Sequence, residues 1–241
     1  MRERKIFFLP IGAKFPYPNI ELTAFEYKRL AYFSPRRVLL DVGIGDIFFE
    51  RKYTDYPQWF IDFYTYIVKE LARKYEENLY PIIPDYPPAW IEGQRQLDYE
   101  KGIEMIKLFK KFDYALWLPV IQWDGISIGS IEKSIRLYSP YVDEFERLAT
   151  TLQAKKENAS IGGIAVHEVR RHFPLKHIHV LGLTLRHKKY VSRFDFDSFD
   201  TVTVLPRKGK RYYGKIFGDR QTFYVANVIR KLGEAYGPLE E

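Results

Sequence analysis

Short, nearly continuous apolar runs alternate along the chain with longer stretches in which apolar residues recur every three to four positions. Runs of the first kind are the signature of strands buried on both faces. They predict strands over Lys5–Ile11, Arg37–Val42, Tyr80–Pro84, Ala115–Gln122, Ser160–Val166, His177–Leu183 and Thr201–Leu205. The second kind predicts helices over Leu22–Tyr32, Tyr56–Asn78, Asp98–Phe112, Ile128–Gln153 and Arg220–Tyr236. Within Tyr56–Asn78, residues Phe60, Phe63, Ile67, Leu71 and Tyr75 make one apolar stripe. Alternating strand and helix predicts a parallel sheet with right-handed crossovers. Seven strands can be placed and an eighth cannot. No Gly-rich phosphate-binding turn of the Rossmann or P-loop kind follows the first strand. An α/β fold of the TIM-like (β/α)8 barrel type, irregular or trimmed, therefore fits better than a doubly wound sheet. With no repeat, low-complexity segment or linker, residues 1–241 read as a single domain.

Composition narrows the chemistry. The chain has 241 residues, of which 46% are hydrophobic, enough to exclude disorder. It has no cysteine, which excludes a disulfide scaffold, a Cys-based zinc site, an iron–sulfur cluster and a Cys nucleophile. No apolar run reaches the roughly 18 residues of a membrane span. The Met1-Arg2-Glu3-Arg4-Lys5 start has no long apolar stretch behind it, so no secretory signal is expected and the expected location is cytoplasmic. Scarce Met with abundant Lys, Glu, Arg, Tyr and Ile points to a thermophilic source. The net charge of +7 favours an anionic partner, nucleic acid being the commonest.

In a parallel barrel, functional residues collect at the carboxyl ends of the strands. Asp41 closes one predicted strand, Asp85 another, Gln122 a third, and Asp200 lies at the last. Gly162-Gly163 and His167 mark the Ser160–Val166 run. A buried carboxylate costs several kcal/mol unless it is paired or does chemistry. Converging carboxylates push at least one pKa up, which supplies a protonated acid beside an ionised nucleophile. One strand-end Asp equally serves as a helix cap; three of them, with Gln122 and a Gly pair, point to a site.

These residues resemble the tRNA-guanine transglycosylases and their DNA-modifying relatives, TIM barrels that exchange guanine in nucleic acid for a 7-deazaguanine base. Phe8-Leu9-Pro10-Ile11-Gly12 resembles the family's first strand, and Leu40-Asp41-Val42-Gly43 its general acid/base motif. Pro84-Asp85 and Val120-Ile121-Gln122 are similar to the two base-reading strand ends. Gly162-Gly163-Ile164-Ala165-Val166-His167-Glu168 is similar to the run whose backbone contacts the base, and Val180-Leu181-Gly182-Leu183 to the strand after it. Asp197-Ser198-Phe199-Asp200 matches the nucleophile's segment. Val42 stands where the family has serine, Trp123 and His167 where it has glycine, and the cysteines of the tRNA enzymes' zinc site are absent. The pattern therefore looks closer to the zinc-free DNA-guanine transglycosylases of DNA-modification systems.

The resemblance implies a pentosyltransferase with no cofactor and no metal, acting by double displacement at C1′, as retaining glycosidases do. Asp200 would attack C1′, Asp41 would serve as acid and then base, and Asp85, Gln122, Gly162, Gly163 and His167 would hold the purine. Its partners would be DNA, slightly favoured over tRNA, and a free 7-deazaguanine, with a homodimer plausible by analogy. The target nucleotide would have to leave its stack, and Tyr86, Trp90 and Trp123 are candidate stacking platforms. Two basic runs, Arg186, Lys188 and Lys189 before Asp200 and Arg207, Lys208, Lys210 and Arg211 after it, are candidate phosphate contacts. Two rival readings stand beside this one. His177 and His179, on one strand face, could with the acidic residues and His167 build a metal-dependent barrel hydrolase, although they sit at the start of their strand. Alternatively, Val42 and His167 could mark a nucleic-acid or base-binding module without catalysis. Replacing Lys208, Lys210 and Arg211 together by Ala is expected to weaken nucleic-acid binding and flatten its salt dependence; unchanged filter-binding curves would contradict the phosphate assignment.

Overall fold

The apolar runs fold into strands that bury both faces, and the computed structural model describes residues 4–11, 15–91, 94–152, 159–192, 195–201 and 219–240 of the chain. Among these residues, eight strands form one all-parallel sheet: β1 (Ile6–Pro10), β2 (Asn19–Thr23), β3 (Arg37–Asp41), β4 (Leu79–Pro81), β7 (Val120–Ile121), β8 (Arg147–Thr151), β9 (His177–Leu181) and β10 (Ser198–Asp200). A separate antiparallel hairpin joins β5 (Ala89–Ile91) to β6 (Gln94–Gln96). The sheet order is β4-β3-β2-β1-β10-β9-β8-β7, which leaves β4 and β7 as its edges. One bridge, Ile82 to Leu118, spans the gap between those edges, with Leu118 N–H on Pro81 O at 2.9 Å and Ile83 N–H on Leu118 O at 3.0 Å. The ladder is thus open, yet the sheet curls until its ends touch.

Side chains crossing the interior show how tightly it curls. Tyr80 of β4 and His177 of β9 are five strands apart in the order, yet their ring centroids lie 5.6 Å apart. Phe8 of β1 packs on both Tyr80 and His179, at 5.0 and 5.7 Å. Arg147 of β8 lays its guanidinium 4.0 Å from the Tyr80 centroid and donates to Leu79 O at 2.9 Å. On the outer face Phe7 stacks on Phe199, which meets Tyr236 of α6 (Asp219–Tyr236). Helix α1 (Gln58–Tyr75) buries Phe60, Tyr64, Ile67 and Val68, one stripe at the predicted spacing. The Tyr64 hydroxyl reaches through the layer to Ile82 O at 2.6 Å. The other helices are α2 (Tyr99–Lys110), α3 (Ile128–Val142), α4 (Ala159–His172) and α5 (Lys188–Val191). Among the described residues, no helix is long and apolar enough to cross a membrane.

Three expectations are corrected. Residues 160–166 are not a strand but the first half of α4, where Gly162, Ala165, Val166, Val169 and Phe173 are buried at helical spacing. A short apolar run fits either element, and tertiary packing decides. The helix predicted over Ile128–Gln153 ends at Val142, with Pro140 in its last turn, and its tail is strand β8. Residues Asn19–Thr23 are strand β2, with the predicted helix starting only at Ala24 as a 3-10 turn. A fourth expectation, the strand over Thr201–Leu205, is displaced: the strand is Ser198–Asp200, Thr201 lies just beyond it, and residues 202–205 lie outside the described residues.

The C-terminal segment closes the amino end of the sheet. Lys5 N–H donates to Pro238 O at 2.9 Å and Glu240 N–H to Lys5 O at 2.8 Å. The Glu240 carboxylate accepts from Arg37 Nη2 at 2.6 Å, and Asn19 donates to Glu240 O at 3.2 Å. Arg37 is 8% exposed, so its charge depends on that partner. The Glu240→Ala variant is expected to lose about 1–3 kcal/mol and to melt lower by roughly 2–4 °C per kcal/mol; a calorimetric midpoint equal to that of the parent would contradict this.

Candidate active site

The carboxyl ends of the strands bring together four acidic side chains, three of them expected. Asp41 is the last residue of β3, Asp200 the last of β10, and Asp85 follows β4. The fourth, Glu21 on β2, was missed. Its signal was the Asn19-Ile20-Glu21-Leu22-Thr23 alternation, in which Ile20 and Leu22 are buried outward and the polar residues face the interior. In register, Glu21 sits beside Pro10 of β1, and Thr23 beside Asp41. Glu21 Oε2 is buried and has no hydrogen-bond partner among the described residues.

Each acid has a distinct environment. Asp41 Oδ1 accepts the Val42 N–H at 2.8 Å. Gly43, at φ +79°, turns the chain away there; a Cβ would be strained and would meet Asp46 Oδ2 at 3.0 Å. Burial, then the charges of Asp85 and Asp200, push the Asp41 carboxyl up to about 7. Burial likewise pushes Asp85 up to about 6, against the hydrogen bond that Gln122 donates to it. Glu21 is raised well above the ordinary range by burial and by Asp200 and Asp41. Asp200, 4% exposed, accepts the Gly182 N–H at 3.1 Å on both oxygens and lies 3.1 Å from His179 Nε2. Gly182, at φ +72°, has open space where a Cβ would be, so its glycine serves the backbone conformation that aims this N–H.

Gln122 is fixed from behind: Thr151 Oγ1 donates to its Oε1 at 3.3 Å. Trp123 is buried and donates through Nε1 to Thr151 O at 2.6 Å, so it braces this corner rather than offering a stacking face. Tyr86, also buried, hydrogen-bonds Asp55, while the neighbouring Tyr56 hydroxyl donates to Asp85 O at 2.7 Å. Beside them an open cavity of about 850 Å³ is lined by Phe48, Phe49, Tyr53, Tyr86, Tyr99 and Lys101, among others. The Trp90 side chain lies outside the described residues.

The other predicted residues fall elsewhere. Gly162 and Gly163 lie in the opening turns of α4, not at a strand end, and a Cβ on Gly162 would come within 2.8 Å of Leu152 Cδ2. Gly162 thus serves close packing of the helix against Leu152, just past the end of β8. His167 is exposed further along the same helix, because the element is a helix rather than a strand running into the rim. Lys188 and Lys189 are exposed on α5, which follows β9. The Arg186 side chain and all of Arg207, Lys208, Lys210 and Arg211 lie outside the described residues. His177 and His179 share a strand face as expected, but His179 reaches Asp200, so this pair is not remote from the site. Ser198 Oγ sits between them, 2.7 Å from His177 Nε2 and 2.8 Å from His179 Nδ1. Among the described residues, no three His, Asp or Glu side chains are grouped to hold a metal ion. No family model matches the chain, and a search of curated proteins finds no match to it.

The raised acids have a thermodynamic consequence. A carboxyl whose folded pKa exceeds its unfolded value of about 4 binds more protons in the folded state. Its contribution to stability is therefore present at low pH and lost as pH rises toward about 7, the value for Asp41. Asp41→Asn is expected to raise the thermal midpoint at pH 8 by several degrees and to change it little at pH 4. An equal shift at both pH values, or none at pH 8, would contradict this.

Proposed function

We propose that the protein is a base-exchange transglycosylase that replaces guanine in nucleic acid with a 7-deazaguanine base, on a sheet acting as a TIM-type barrel. One observation carries the reading. Two carboxyls at strand ends stand in different surroundings: burial and the charges of Asp85 and Asp200 push Asp41 up to about 7, while Asp200 accepts the Gly182 N–H and borders His179. That is the division a double displacement needs, an acid that holds a proton at neutral pH and a carboxylate that attacks.

In the first half-reaction an Asp200 oxygen forms a bond to C1′ as the C1′–N9 bond breaks. The departing guanine takes the bonding pair, and Asp41 supplies the proton. In the second, the incoming base attacks C1′, its proton goes to Asp41, and the pair returns to Asp200. Asp85 and Gln122, already hydrogen-bonded to each other, present a donor and acceptor edge suited to a purine. A base lacking the matching groups leaves these buried atoms unpaired, which is the strongest form of discrimination. Glu21, pushed well above the ordinary carboxyl range by burial and by the charges of Asp200 and Asp41, is a further candidate donor in this cluster. DNA is slightly favoured over tRNA as the polymer, with the exposed Lys188 and Lys189 and the basic run beyond Asp200 as phosphate contacts.

The test is base exchange. The protein is incubated with labelled guanine or a labelled 7-deazaguanine and either duplex DNA or bulk tRNA, beside Asp200→Ala. Label is expected in one polymer only, with loss of at least a thousandfold in the variant, and guanine release is expected to slow above about pH 7 as Asp41 loses its proton. No label in either polymer, with folded protein, would contradict the reading.

A further inference from the structure

The interior below Asp200 holds a buried polar chain that no step above uses. His177 Nε2, Ser198 Oγ, His179 Nδ1, His179 Nε2 and Asp200 Oδ1 follow one another at 2.7, 2.8 and 3.1 Å. Ser198 and His179 are fully buried, and the two imidazoles are wedged by Tyr80 and Phe8. These contacts hold the rings beside Ser198, so the proton placements follow from the hydrogen-bond chain itself.

With a neutral His179 facing an Asp200 carboxylate, one arrangement satisfies every member. Burial pushes His177 down to about 3, so this ring is a neutral imidazole. If His177 carries its proton on Nε2, it donates to Ser198 Oγ. The serine hydroxyl has one proton and turns it to His179 Nδ1, which is then an acceptor. The remaining His179 proton sits on Nε2 and points at Asp200 Oδ1. Reversing a single link sets two donors or two lone pairs face to face, and reversing all of them requires a proton on Asp200 or a second proton on His179.

We infer that His179 is a positioning residue for the nucleophile, locked by His177 and Ser198 into the tautomer that donates from Nε2 to Asp200 Oδ1. Asp200 Oδ2, which lacks that donor, is the oxygen that attacks C1′. The inference rests on the transglycosylase reading for its kinetic consequence, though the tautomer itself does not. While Oδ2 is esterified, Oδ1 is a carbonyl oxygen and the His179 hydrogen bond is weak. As the ester breaks, the electron pair of the Oδ2–C1′ bond returns to the carboxylate, charge spreads onto Oδ1, and the bond strengthens. His179 thus favours the second half-reaction, the release of Asp200, more than the first.

The substitutions separate this from mere packing. In His179→Gln the amide nitrogen can take the Nε2 position, whereas in His179→Asn it reaches only the Nδ1 position and the donor to Asp200 is lost. His179→Asn is expected to slow adduct breakdown by about tenfold to a hundredfold, the range for a lost hydrogen bond to a charged group. The covalent protein–nucleic acid adduct should accumulate on denaturing gels, and kcat and KM should fall together. His179→Gln should restore much of the rate, and Ser198→Ala should behave as a milder His179→Asn. Equal rates and adduct levels in the His179→Asn and His179→Gln proteins, both folded, would overturn the role. The tautomer is read directly from imidazole ¹⁵N shifts of the unmodified protein. An Nε2–H signal for His179 supports the lock, and an Nδ1–H signal overturns it. Absence of both exchange and adduct in the parent protein would count against the transglycosylase reading alone and leave the tautomer to judge the lock.

Discussion

Everything in the site follows from placing four carboxyl groups, Glu21, Asp41, Asp85 and Asp200, at one end of a curled parallel sheet. Water screens such charges, and a protein interior screens them far less. The cluster therefore cannot ionise as four independent acids. Burial raises Asp41, Asp85 and Glu21, and the charge of Asp200 adds to the rise of Asp41 and Glu21. Asp200 itself accepts the backbone N–H of Gly182 and lies against the His179 ring. The fold thus raises three of the four carboxyls together, the kind of perturbed cluster that is common at functional sites.

The opposite end of the sheet pays for nothing of this kind. It is closed by matched charge and by rings: Arg37 against Glu240, Arg147 over Tyr80, and Phe8 between Tyr80 and His179. Those rings confine the histidines, and the histidines meet Asp200. The polar lining of the interior, from Asn19 and Arg147 to Ser198 and His179, also explains why this barrel-like sheet has an irregular core.

Strand-end logic made Asp41, Asp85 and Gln122 legible because each closes or follows an apolar run, while Asp200 stood just before the predicted last strand and was singled out by its resemblance to the nucleophile's segment. It failed where a strand hides polar residues inside. In β2 the inward face is Asn19, Glu21 and Thr23, so the segment read as a helix start, and Glu21 was overlooked. In β8 the inward Arg147 and Thr151 made the strand look like the end of the preceding amphipathic helix. The error at Gly162-Gly163 ran the other way. Small residues that let α4 approach Leu152 made a helix read as an apolar strand. His177 and His179 were visible as a pair, but their purpose depends on Ser198, one strand over at 2.7 and 2.8 Å, a contact that spacing along the chain does not encode.

The central claim is that the carboxyl cluster holds its protons unequally, and carboxyl ¹³C shifts measured across a pH titration of Asp-labelled protein test it most directly. Asp41 is predicted to titrate near 7 and Asp85 near 6, with the Asp41 resonance assigned by its loss in Asp41→Asn. All Asp carboxyls titrating together near 4, the value of an isolated side chain, would contradict the account.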